Sequence, residues 1–114
     1  MNHSELTNRH CIPCERGGES LKPQQVEHFL LQVPTWELQE DDQPRITRTW
    51  KFKDFAASMS FVNAIAKIAE EENHHPDISI SYSRITCTLW THSVGGLTEN
   101  DFIMAAKIDR AAGE

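Results

Sequence analysis

Apolar positions recur along this chain with two periods, and the changes of period divide it into seven elements. Val26, Phe29, Leu30 and Val33 follow the i, i+3, i+4, i+7 rule of a helix with one buried stripe. The spacing predicts a helix over residues 21–32. Ser20 is its expected N-cap, Pro23 falls in the tolerant first turn, and Pro34 stops it. Residues 36–40 and 45–53 read as strands, with the turn cluster DDQP between them. Ile46, Trp50 and Phe52 share one parity and are expected to face the core, with Trp36 covering a core edge. Asp54 then caps a long helix reaching Asn73. Phe55, Met59, Val62, Ile65, Ala66 and Ala69 form its stripe, widened by Phe61, Ala64 and Ile68. So wide a stripe suggests a second burial surface, such as a subunit contact.

A hairpin is expected next. Ile78, Ile80 and Tyr82 alternate with polar residues, as do Ile85, Cys87 and Leu89. A two-residue turn at Ser83 and Arg84 would pair Tyr82 with Ile85, Ile80 with Cys87 and Ile78 with Leu89. Continued further, that register brings His75 opposite His92. SVGGL reads as a flexible connection, and Thr98 as the cap of a last helix through about residue 112.

Composition narrows the class. The chain has 114 residues, 39% hydrophobic and 25% charged, as suits one folded globular domain. No apolar run approaches the ~20 residues of a membrane span, and the polar N-terminus does not resemble a signal peptide, so the cytoplasm is the expected compartment. A net charge of −6 without a basic cluster argues against direct nucleic-acid binding. Residues 1–19 read as a polar tail and 20–114 as the domain. The tail holds Cys11 and Cys14 in a CxxC spacing, which suits half a zinc site or a redox pair; His3, His10 and Cys87 are the obvious further ligands. The alternative is a locally packed or idle pair.

The candidate chemistry is histidine chemistry. His74 and His75 precede Pro76, which favours extended backbone for His75 and a loop between helix and strand. Adjacent side chains in extended backbone point to opposite sides, so only one of the two can face His92 directly. Glu70, four residues before His74, can orient it, or it can belong to a solvated acidic helix end with Glu71 and Glu72. Asp101 completes a capping-box pattern with Thr98 and would also stand just past His92.

These residues carry a resemblance. Glu70, the His74, His75 and Pro76 run, Tyr82, His92 and Asp101 stand in the order and spacing of the pterin-4a-carbinolamine dehydratase family. TWEL, WKFKDF, THSVGGLTENDF and AAKID are similar to its conserved blocks, and the likeness covers roughly residues 20–112. The resemblance implies an α+β fold: a four-stranded antiparallel sheet with three helices on one face, in the order α-β-β-α-β-β-α. It also implies dehydration of 4a-hydroxytetrahydropterin to quinonoid dihydropterin, in recycling of the cofactor of aromatic amino-acid hydroxylases. No metal or organic cofactor is expected. The expected partners are the pterin substrate and further copies of the chain, as homodimer or homotetramer, with no nucleic acid and no membrane. By the same resemblance His74 and His92 transfer protons, and His75 binds the pterin or supports transfer. Asp101 orients His92 or bonds the substrate, and Glu70 is supporting. Two alternatives belong to other classes: a protein-binding transcriptional cofactor without essential catalysis, and a metal-binding protein using the CxxC and the histidines.

Overall fold

The computed structural model describes residues 6–11 and 20–114. From residue 20 onward, among the described residues, three α-helices and four strands follow one another as α1 (Pro23–Leu30), β1 (Glu37–Gln39), β2 (Arg45–Lys51), α2 (Phe55–Glu72), β3 (Asp77–Ser81), β4 (Arg84–Leu89) and α3 (Glu99–Ala111). The strands form one antiparallel sheet in the order β1-β2-β4-β3. This is the expected α+β architecture and element order.

Side-chain parity divides the sheet into two unlike faces. Ile46, Trp50, Ile85, Cys87 and Leu89 are buried in the core with Phe61 and Ile65 of α2 and Phe102, Ile103 and Ile108 of α3. The opposite parity carries Thr47, Thr49, Thr86 and Thr88, whose hydroxyls pair across the β2–β4 ladder, Thr49 with Thr86 at 2.8 Å. Threonine suits such a face because it is β-branched yet polar. The core is rich in aromatic edge contacts: Trp50 lies 5.6 Å from Trp36 and 4.8 Å from Phe61 between ring centroids.

Several boundaries differ from the sequence reading. Helix α1 is shorter than residues 21–32, because Lys22 rather than Ser20 is the N-cap; its N–H donates to Gln25 Oε1 at 2.9 Å. On α2, Asp54 caps as expected, accepting from the Ala57 N–H at 2.8 Å. The buried line runs through Ser58, Phe61, Ile65 and Ala69, however, and leaves Phe55 half exposed. The hairpin register is displaced by two. Ile80 faces Ile85 and Ile78 faces Cys87, so the turn residues are Tyr82 and Ser83. A shift of two keeps every side chain on its face, which is why the alternation alone could not detect it. Tyr82 takes a positive φ of 52°, the left-handed geometry that tight hairpins need. The ladder ends at Asp77 and Thr88, so His75 is not paired opposite His92.

Part of the expected tail lies against the domain. Leu6 is fully buried in the core, and Cys11 packs half-buried against that core. Cys14 falls outside the described residues, as does His3.

Candidate active site

The site is built where three chain ends meet: the end of α2, the end of β4 and the start of α3. Helix α2 stops because Asn73 adopts the left-handed conformation (φ 52°, ψ 42°), a frequent helix C-cap for asparagine. The chain reverses there, and the His74 N–H still bonds the Ala69 carbonyl at 3.2 Å. His74 is thereby aimed toward α3. Its Nε2 lies 2.8 Å from Oδ1 of Asp101.

Asp101 is fully buried and every contact it makes is directed. Its Oδ2 accepts from the Thr98 N–H at 3.0 Å and from the Thr91 hydroxyl at 2.9 Å. The Thr91 and Thr98 hydroxyls are themselves 2.8 Å apart, so Thr98 donates to Thr91 and Thr91 to the carboxylate. A carboxylate surrounded by donors accepts rather than donates, so the His74 Nε2 carries the hydrogen. That leaves Nδ1, the other ring nitrogen, for a different partner. The first turn of α3 adds the positive end of a helix dipole to this arrangement. The same residue serves both contacts: one oxygen closes the capping box of α3 and the other bonds His74.

The Thr91–Thr98 loop is more ordered than a flexible connection. Thr91 and Gly96 form a bridge, with the Thr91 N–H to the Gly96 carbonyl at 2.8 Å. A 3₁₀ turn, His92–Val94, fills the loop, and Gly95 closes it at φ 65°, where a side chain would be strained. His92 is exposed on this turn and stacks on Trp90, centroids 3.8 Å apart and planes 22° apart. Beside Trp90 a cleft of about 630 Å³ opens, lined also by Asp42, Gln43, Arg45, Asp77 and Thr88. That volume lies within the range of small-molecule sites.

His75 and Glu70 take different partners from those expected. His75 Nε2 bonds Glu70 Oε2 at 2.6 Å, on the exposed side of the helix end. Glu70 therefore orients His75, and Asp101 orients His74 rather than His92. The cause is the reversal at Asn73, which places the two adjacent histidines on opposite sides of the α2 terminus. Among the described residues none of the three histidines hydrogen-bonds another. Tyr82, the aromatic member of the ordered set, stands at the far end of the hairpin, exposed and stacked on Phe55 at 6.4 Å. Sequence reasoning did not single out Thr91, which bonds Asp101, or Trp90, which stacks on His92. Both flank a candidate histidine at a strand end, which was the available signal.

Among the described residues no group of three His, Cys, Asp or Glu side chains is arranged to hold a metal ion. No helix of the described residues is long and apolar enough to cross a membrane.

Comparison with known proteins agrees with this architecture. The family pattern described as pterin 4 alpha carbinolamine dehydratase matches residues 19–111. A Rubrobacter xylanophilus protein carrying that dehydratase's name is 42% identical over 107 residues, 94% of this chain and 98% of the relative. A Brucella melitensis crystal structure of a transcriptional coactivator/pterin dehydratase superposes with a TM-score of 0.78 at 36% identity, covering 83% of this chain and all of that one. A pterin dehydratase-like protein identified as a RuBisCO assembly factor in the alpha-carboxysome superposes at 0.62 with 26% identity, covering 70% and 92%. With the pattern matched over nearly the whole described domain, and a relative of similar length aligned end to end, this chain belongs to the pterin-4a-carbinolamine dehydratase family.

Proposed function

We propose that this protein dehydrates 4a-hydroxytetrahydropterin to quinonoid dihydropterin by acid–base catalysis from its histidines. The observation that carries the reading is the His74–Asp101 pair at 2.8 Å, fixed from behind by Thr91 and Thr98. The reaction breaks the C4a–O bond. The N5 lone pair expels the hydroxyl, an acid protonates it as it leaves, and a base collects a proton from the pterin, so that one water is lost overall. Imidazole, with a reference pKa near 6.5, serves both tasks at neutral pH. His74 presents Nδ1 as the base, with Asp101 supporting the imidazolium that forms. His92, exposed on its turn, is the acid. His75, held by Glu70, supports binding. Proton transfer in and out suffices for this elimination, without metal or organic cofactor. The product would return to the tetrahydro form by a separate reduction, as recycling of a hydroxylase cofactor requires.

Freshly generated 4a-hydroxytetrahydropterin should decay faster with this protein than without it, and the excess rate should vanish when His74, His75 and His92 are replaced together. An unchanged rate in that triple variant would remove the assignment.

A protein-binding role is a second reading, favoured by the likeness to an assembly factor and a coactivator. Partner binding that survives loss of the histidines would separate it from catalysis. Self-association into dimers or tetramers belongs to either reading. Its support is the exposed Phe55, Ile80 and Tyr82 beside the open edge strand β3. Sedimentation as a monomer across micromolar concentrations would end it.

A further inference from the structure

The segment 6–11 lies outside the histidine set, yet it is fastened to both chain ends that present the His74–Asp101 pair. Leu6 is sunk in the core. On the α2 side the Cys11 N–H donates to Glu72 Oε1 at 2.7 Å, and His10 Nδ1 lies 2.8 Å from Glu72 Oε2. Lys107 Nζ bridges, 3.1 Å from the Thr7 carbonyl and 3.4 Å from Glu72 Oε2. On the α3 side Arg9 pairs with Glu99 at 3.0 Å, and the Cys11 thiol meets the Asn100 carbonyl at 3.7 Å. Glu72 is the last residue of α2, two before His74; Glu99 and Asn100 open α3 directly before Asp101.

Glu72 has no reason to be where it is on helix grounds. A carboxylate in the last turn of a helix opposes the dipole, and this one is also nearly buried. Burial alone would raise its carboxyl, but the Cys11 N–H, His10 and Lys107 hold it below the ordinary carboxylate range. Two of those three compensating groups come from the segment 6–11.

We propose that residues 6–11 form a strap that clamps the end of α2 to the start of α3, with Glu72 as a positioning residue for the His74–Asp101 pair. The inference rests on the reading of that pair as catalytic. A small displacement of either chain end would misalign the pair, and misplacement of about 1 Å can cost about a hundredfold in rate.

The experiment compares the full-length chain with Glu72→Ala, Glu72→Gln, Cys11→Pro and His74→Ala, each checked for native circular dichroism. Glu72→Ala should lower kcat roughly tenfold to a hundredfold with KM within about twofold. Glu72→Gln, whose amide oxygen can still accept the Cys11 N–H, should recover part of the loss. Cys11→Pro removes that N–H from a partly exposed segment while leaving Glu72 in place, so it tests the strap even where Glu72→Ala fails to fold. In the strap variants the His74 ring resonances should move while the methyl resonances of Ile65 and Leu89 stay. An inactive His74→Ala beside strap variants of unchanged kcat and unchanged His74 ring signals would overturn the strap and leave the dehydratase reading standing. An active His74→Ala would overturn the reading itself, and the strap's positioning role with it.

Discussion

Two buried carboxylates stand eight residues apart on α3, and they do opposite work. Asp101 at the N-terminus holds His74, an imidazole with a second ring nitrogen left for another partner. Asp109 near the C-terminus holds the Trp36 indole N–H at 2.9 Å and Arg48 at 2.7 Å, neither of which changes charge near neutral pH. Arg48 is further pinned between Glu114 and the face of Trp50, 4.7 Å from its centroid. Around Asp101 the donors are the Thr91 hydroxyl and the N-cap N–H of Thr98, and the histidine on its other oxygen remains slightly exposed. Around Asp109 the network closes on itself and ties α3 to β2 and to the start of β1. A buried carboxylate is thus not a site by virtue of burial. The chemistry of its partner, and that partner's access to solvent, make the difference.

The largest effect should come from the partner at the Asp101 end. His74→Ala or His92→Ala should slow dehydration about 10²–10⁴-fold without loss of folding, measured against the uncatalysed decay of the substrate. Their double variant should lose less than the product of the single losses if, as proposed, both groups act on one reaction centre.

Asp101→Asn should reduce kcat by about a hundredfold. The amide can still accept from Thr91 and Thr98, but it cannot stabilise an imidazolium on His74. If Asn retained full activity, Asp101 would be a helix cap alone, and the contrast with Asp109 would collapse.

At the other end the loss should appear in stability instead. Asp109→Ala leaves Arg48 and the Trp36 indole short of a buried acceptor, at a cost of about 3 kcal/mol by denaturant midpoint. This is the low end of the range for broken buried pairs, because Glu114 still holds Arg48. Rate per folded molecule should be unchanged.

A smaller, pH-dependent effect follows from the carboxyls. Burial raises the Asp109 carboxyl, with Trp36 and Arg48 opposing, so its contribution falls as pH rises from the unfolded value through the folded one. Glu72 is lowered, so its contribution is present above the unfolded value and lost as pH falls through the folded one. Asp109→Asn should therefore steepen the loss of stability in acid, and Glu72→Gln should flatten it, in unfolding curves taken at stepped pH.

The smallest change tests the geometry that sends His74 toward Asp101. Asn73→Gly should leave activity intact and stability within about 0.5 kcal/mol, because glycine accepts the left-handed cap freely. Asn73→Val, strained there by roughly 1–2 kcal/mol, should cost both.

The order of elements, the buried faces of β2 and β4 and the N-caps at Asp54 and Thr98 were legible in the sequence, because period and capping chemistry act over a few residues. Hence Ile46, Trp50, Ile85, Cys87 and Leu89 could be assigned to one face without any contact being known. On β3 the alternation held but Ile80 stayed exposed. His74, His75, His92, Glu70 and Asp101 were legible as an ordered set, but their pairings were not. A single left-handed residue, Asn73, sent His74 to Asp101 and left His75 to Glu70. Register shared this limit: Ile78 facing Cys87 rather than Leu89 preserves every facing, so the choice fell to the Tyr82 turn. Period alone likewise could not find Asp109 as the acceptor of Trp36 and Arg48, or Leu6 in the core. Those contacts join residues 61 to 73 positions apart, or chain outside any periodic segment. Local chemistry determines what each segment can become; only packing brings distant polar groups within the 3 Å that a hydrogen bond requires.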